Sequence, residues 1–142
     1  MIGLFIPVRE YTSTSLVTVS RNTQIWMVKK IMDQNSIRHI PVVDAMIPVG
    51  IISDRDLRTL AGSSETSADP VGTHMQKNLY IAQESSRLVD IVYELTDRKI
   101  SSAIIANQKG EITGIFTTTD ALIALMDALR GHIFDDPDSL II

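Results

Sequence analysis

Two short phrases carry the residues best suited to chemistry. Gly50-Ile51-Ile52-Ser53-Asp54-Arg55-Asp56 is echoed sixty-four positions later by Gly114-Ile115-Phe116-Thr117-Thr118-Thr119-Asp120. Each reads glycine, two apolar residues, a hydroxyl, two spacers and an aspartate. A hydroxyl three residues before an acid is first of all a helix capping box, in which the hydroxyl accepts from the acid's amide and the carboxylate accepts from the hydroxyl residue's amide. A polar ligand is the competing use. Apolar residues running into a helix start make a strand-to-helix junction, whose unpaired amides and dipole favour a phosphate. A carboxylate beside that junction can accept both hydroxyls of a ribose, as an acid does in dinucleotide-binding folds. The glycine leaves room for a group to approach the backbone. Sugar plus phosphate describes a nucleotide.

The duplication extends beyond the phrase. Upstream the copies keep an offset of sixty-three, pairing Val8 with Val71, Leu16 with Leu79, Ile37 with Ile100 and Asp44 with Asn107. Two copies of this length suit a pair related by a pseudo-twofold axis better than an open array, which needs more and shorter units. Each copy reads strand, helix, strand, strand, helix. In the first, Val17-Thr18-Val19 is a short strand, and Thr23 caps a helix with Ile25, Val28 and Met32 on one face. His39–Val43 and Val49–Ile52 are strands around an Asp44–Pro48 turn, with Pro41 at a strand edge or start because it cannot donate to a ladder. A short helix runs from Asp54 to about Gly62. The second copy opens with the strand Leu79-Tyr80-Ile81. Ser86 caps a helix striped by Leu88, Ile91, Val92 and Leu95. Ala103–Ala106 and Ile112–Phe116 flank a Lys109-Gly110 turn. The last helix carries Leu122, Leu125, Met126 and Leu129, and Gly131 is its C-terminal cap. Leu122, Met126 and Leu129 are expected in the core, with a second subunit as the alternative.

The class is mixed α/β (α+β). Residues 1–62 form the first repeat with its lead-in, 63–70 a polar linker, 71–131 the second repeat and 132–142 a tail. With 142 residues, 44% of them hydrophobic, the chain can bury one ordinary core. A net charge of −4 disfavours a nucleic-acid polymer but not a small anion. No cysteine means no disulfide framework and no thiolate chemistry. The apolar Ile2–Val8 opening is short and broken by Pro7, so neither a secretory signal nor a membrane span is expected, and a cytoplasmic setting is. Asp135-Asp136-Pro137-Asp138 reads as a solvated acidic tail rather than a cation cage, and no metal is expected. His39, His74 and His132 are scattered without ligand spacing or a nucleophile, and no catalytic motif appears, so an enzyme is not expected.

Ile37-Arg38-His39-Ile40-Pro41-Val42-Val43-Asp44, followed by Gly50–Leu57, resembles the CBS domain, named after cystathionine β-synthase. The resemblance runs from about Val8 to Arg130, and the first half is similar to stand-alone CBS proteins of the acetoin-utilisation type. It implies two β-α-β-β-α repeats packed with pseudo-twofold symmetry, usually dimerising, and acting as sensors rather than catalysts. It also implies two clefts for an adenosine compound such as AMP, ADP, ATP, S-adenosylmethionine or NAD. Carried over by position, Asp56 and Asp120 match the ribose-binding acid, and Ser53 and Thr117 the neighbouring hydroxyl. Arg38, His39, Ile40 and Pro41 match the strand whose backbone reads the adenine, with Thr18 on the strand beside it. Ile81 and Ala103 stand at the positions of Thr18 and Ile40 in the second copy. Asp54, Arg55 and Thr119 are spacers, of which Arg55 can reach a phosphate. The second copy departs where Ile104 replaces Pro41 and where Thr118 and Thr119 replace Asp54 and Arg55. The Asp56 cleft therefore ranks first. A ligand-free dimerisation module is the rival reading.

Overall fold

The computed structural model describes residues 5–61 and 66–131. Its helices are α1 (Ile25–Asn35), α2 (Asp54–Leu60), α3 (Leu88–Arg98) and α4 (Thr118–Leu129); its strands are β1 (His39–Asp44), β2 (Ile47–Ser53), β3 (Ile81–Gln83), β4 (Ser102–Ala106) and β5 (Ile112–Thr117). The class is mixed α+β, as expected. The chain divides into two compact units. The first comprises residues 17–61, 66–79 and 110–112, and the second residues 5–16, 80–109 and 113–131.

In the first unit β1 and β2 pair antiparallel, from His39 opposite Ser53 to Asp44 opposite Ile47. The register shifts between Val42 and Val43, leaving Val49 as the extra residue of a bulge. The turn is tighter than the expected Asp44–Pro48 span: only Ala45 and Met46 lie in it, at φ 47° and 68°, and Pro48 is already in β2. Ile25, Val28 and Met32 of α1 are buried as their spacing requires, against Ile40, Val42, Ile52, Leu57, Val71 and Met75. In the second unit β4 lies between β3 and β5. β3 pairs parallel with β4, and Leu88, Ile91 and Leu95 of α3 are buried with Val8, Ala103, Ile105 and Phe116.

The lead-ins account for several departures from expectation. Val8 precedes the first repeat but is buried in the second unit, and Val71 precedes the second repeat but is buried in the first. The Val71 amide donates to the Thr23 carbonyl and the Val8 amide to the Ser86 carbonyl, both at 2.7 Å. Thr23 and Ser86 thus anchor lead-ins instead of capping helices; the N-cap residues are Gln24 and Arg87, neither with a side-chain cap bond.

The expected strand Val17–Val19 is reduced to one bridge, between Val19 and Val42. Proline is the cause. The Val19 amide donates to the Pro41 carbonyl at 3.1 Å, so the next bond would run from residue 41 back to the Val17 carbonyl, and Pro41 has no N–H. At the matching place in the second unit, Ile104 does donate to the Tyr80 carbonyl, at 2.9 Å, and a strand forms. That strand is Ile81–Gln83, shifted from the expected Leu79–Ile81.

The last helix overturns the core expectation. Leu122, Leu125, Met126 and Leu129 are exposed, Leu129 by 79%, and Ala124 is the buried residue of α4. Small alanines face the core while the large side chains face outward. Gly131 is in the left-handed region, at φ 78°, with its amide donating to the Ala128 carbonyl, as a C-terminal cap requires. Of the polar linker, Thr66–Ala68 forms a 3-10 turn. Gly62, the rest of that linker's start, His132 and the Asp135–Asp138 cluster lie outside the described residues.

Candidate ligand-binding site

The first strand-to-helix junction is a complete capping box. Ser53 is the N-cap of α2; its hydroxyl accepts from the Asp56 amide at 3.1 Å, and Asp56 Oδ2 accepts from the Ser53 amide at 2.9 Å. Asp56 Oδ1 accepts from Gln76 Nε2 at 3.1 Å. His39 is opposite Ser53 in the β1–β2 register, and the Asp54 amide donates to the Arg38 carbonyl at 2.8 Å. The structure therefore brings Arg38, His39, Ser53, Asp54 and Asp56 together. Burial holds the His39 imidazole below its ordinary pKa; the Asp54 and Asp56 carboxylates pull it back up, and Arg38 pushes it down.

At the second junction Thr117 is the N-cap of α4, and its amide (2.8 Å) and hydroxyl (3.2 Å) both donate to Asp120 Oδ2. Burial raises the Asp120 pKa, against the lowering effect of those two donors. The Thr118 amide donates to the Ser101 carbonyl at 3.1 Å, repeating the Asp54–Arg38 contact.

Other sequence-derived candidates fall in different places. Ile40, Pro41 and Ala103 are buried, so only their backbone can meet a ligand. Thr18 immediately precedes the Val19 bridge, and Ile81 stands opposite Ile104 with its side chain exposed. Arg55 and Thr119 are exposed on the first turns of α2 and α4, and Arg55 makes no ion pair among the described residues. Arg38 and Asp54 line a cleft of about 490 Å³ between α1 and α2, which Ser53 and Asp56 do not line.

The glycines need correction. The group that approaches Gly50 and Gly114 is the chain itself. A β-carbon on Gly50 would overlap Met75, and one on Gly114 would overlap Thr12 and the Ser13 carbonyl. Gln76 pairs with Ile51 and Ser13 with Ile115 as antiparallel bridges beside those glycines. The bridge carries Gln76 to Asp56, a contact that no sequence motif announces. Among the described residues no cluster of His, Cys, Asp and Glu could hold a metal, and no helix is long and apolar enough to cross a membrane.

The CBS-domain family model matches the chain twice, over residues 8–62 and 71–127. The chain belongs to the CBS-domain family. A CBS domain-containing protein of Dictyostelium discoideum is 28% identical over 135 residues, covering 87% of this chain and 93% of its own length. Other curated relatives are much longer: the chain spans 22% of an inosine-5′-monophosphate dehydrogenase of Chlorobaculum parvum. Among solved structures, an acetoin utilization protein of Vibrio cholerae superposes with TM-score 0.83 at 24% identity, over 94% of this chain and all of that one. A CBS domain pair in complex with 5′-methylthioadenosine and S-adenosyl-L-methionine, and the protein CBSX2 in complex with AMP, each give TM-score 0.78 at 23% identity, over 87% of this chain and 98% of theirs. These likenesses establish a CBS-pair fold.

Proposed function

We propose that this CBS pair is a regulatory module that binds an adenosine compound at its strand-to-helix junctions, with Asp56 and Asp120 accepting the ribose hydroxyls. One observation carries the reading: both repeats keep a hydroxyl at the N-cap and a carboxylate at the third helical residue, with carboxylate acceptor capacity left over. Arg55, exposed and without an ion pair among the described residues, is the cation suited to a phosphate on the first unit. Relatives solved with AMP, S-adenosylmethionine and methylthioadenosine share the adenosine part, which is the part a carboxylate can recognise. No group with catalytic geometry is assigned, and the output is a change in packing driven by differential affinity for two arrangements. Calorimetry with AMP and 2′-deoxy-AMP tests the ribose contact. AMP should bind at least about tenfold tighter, the scale of one charged hydrogen bond; equal affinity, or no heat from either, contradicts the reading.

A second reading rests on α4. Its exposed Leu122, Ile123, Leu125, Met126 and Leu129 form an apolar face, the kind of surface that a second copy can bury against itself. We propose homodimerisation through this face, compatible with ligand binding or sufficient without it. Light scattering on Leu125→Glu against the unaltered chain tests it, a monomer in both contradicting the idea.

A further inference from the structure

The two junctions differ in one contact. Asp56 has a protein donor on each oxygen: the Ser53 amide on Oδ2 and Gln76 Nε2 on Oδ1. Asp120 has both its donors, from Thr117, on Oδ2, and its Oδ1 takes no hydrogen bond from the described residues. The difference traces to the lead-ins. Gln76 and Ser13 hold the same backbone place: Gln76 exchanges amide and carbonyl bonds with Ile51 at 2.9 and 3.0 Å, and Ser13 with Ile115 at 3.2 and 3.3 Å. A glutamine side chain reaches the carboxylate from that place. A serine hydroxyl makes no bond to Asp120.

We propose that Gln76 is a specificity-determining residue that occupies the ribose-facing oxygen of Asp56, so that the Asp120 junction takes an adenosine ligand first. This rests on the nucleotide-binding reading above and reverses the order expected from sequence. At Asp56 the Gln76 amide stands on the approach to Oδ1, so a ligand donor using the same lone pair competes with it, and its apparent affinity falls by the fraction of time that the amide is absent. A ligand at Asp120 meets an oxygen that carries no donor from the described residues and is open to water, so it displaces only water. The raised Asp120 pKa agrees, since burial without enough donors disfavours its ionised form.

The test is calorimetry with AMP on four chains: unaltered, Asp120→Asn, Gln76→Ala, and Gln76→Ala with Asp120→Asn. The unaltered chain should show a stronger and a weaker site, and Asp120→Asn should remove the stronger. Gln76→Ala in the Asp120→Asn background should tighten the remaining site by about five- to tenfold, the tax removed when Gln76 sits on Asp56 some 80–90% of the time. In the unaltered chain, the Gln76 side-chain amide resonances should also move when AMP fills that weaker site. Equal or weaker binding after Gln76→Ala, with AMP still binding the unaltered chain, overturns the role of Gln76 and leaves the nucleotide reading standing. No heat from any of the four chains overturns both.

Discussion

A β-carbon on Gly50 would overlap the Met75 side chain, and its counterpart on Gly114 would overlap Thr12 and stand 2.8 Å from the Ser13 carbonyl. The repeated glycine is therefore a contact between a strand and a lead-in. The two sites differ in what must yield. Met75 is an unbranched side chain that can repack, with the Gln76 carbonyl at 3.1 Å, whereas at Gly114 the backbone obstacle is nearer, the Ser13 carbonyl at 2.8 Å, held by its bridge to Ile115. Gly114→Ala should cost about 2–3 kcal/mol of stability and Gly50→Ala about 1 kcal/mol. Urea unfolding of both variants checks the order, and a larger loss at Gly50 would refute the assignment.

Ala45 and Met46 form a two-residue hairpin turn with both φ values positive, a conformation favouring Asn-Gly. Left-handed residues with a β-carbon each cost about 1–2 kcal/mol relative to a permissive one. Replacing Ala45-Met46 by Asn-Gly should raise stability by about 1–2 kcal/mol, read as an increased denaturation midpoint with an unchanged slope.

His39 supplies a pH signature. Its folded pKa is lowered by burial, so the unfolded chain binds the proton more readily. Stability from this group is complete above the unfolded pKa, about 6.5, and is lost as pH falls through the folded value. His39→Gln should flatten the dependence of unfolding free energy on pH below about 6.5. Asp120 runs oppositely: its raised pKa favours the folded state at low pH, and that contribution is lost as pH rises through the folded value. Asp120→Asn should abolish that slope while its amide oxygen still accepts from the Thr117 amide.

The Tyr11 hydroxyl donates to Asp127 Oδ2 at 2.7 Å, tying a lead-in to α4 within the second unit. Tyr11→Phe should destabilise the chain by about 1 kcal/mol. Since burial and Asp127 push the phenol up to about 12, the Tyr11 absorbance change should be missing from the usual tyrosine titration near pH 10.

Much of the fold was legible from the duplication and from apolar spacing: the α1 and α3 stripes, the paired strands and the Gly131 cap follow from local pattern. What failed was non-local. Thr23 and Ser86 look like caps because the sequence does not show that their carbonyls receive Val71 and Val8. Val17–Val19 looks like a strand because the missing donor belongs to Pro41, more than twenty residues away. The α4 leucines look like core because amphipathicity does not say which stripe faces inward when alanines can pack there instead. At the site, the paired hydroxyls and carboxylates were legible as capping boxes, but Gln76 was not, because only the bridge to Ile51 brings it to Asp56.

Titration of AMP into the chain carrying both Asp56→Asn and Asp120→Asn is the most direct test of the ribose-binding claim. Binding at each site should fall by at least about tenfold, since each loses a charged acceptor worth about 1.5–3 kcal/mol, while circular dichroism shows the fold intact. Unchanged AMP affinity in that folded double variant would contradict the account.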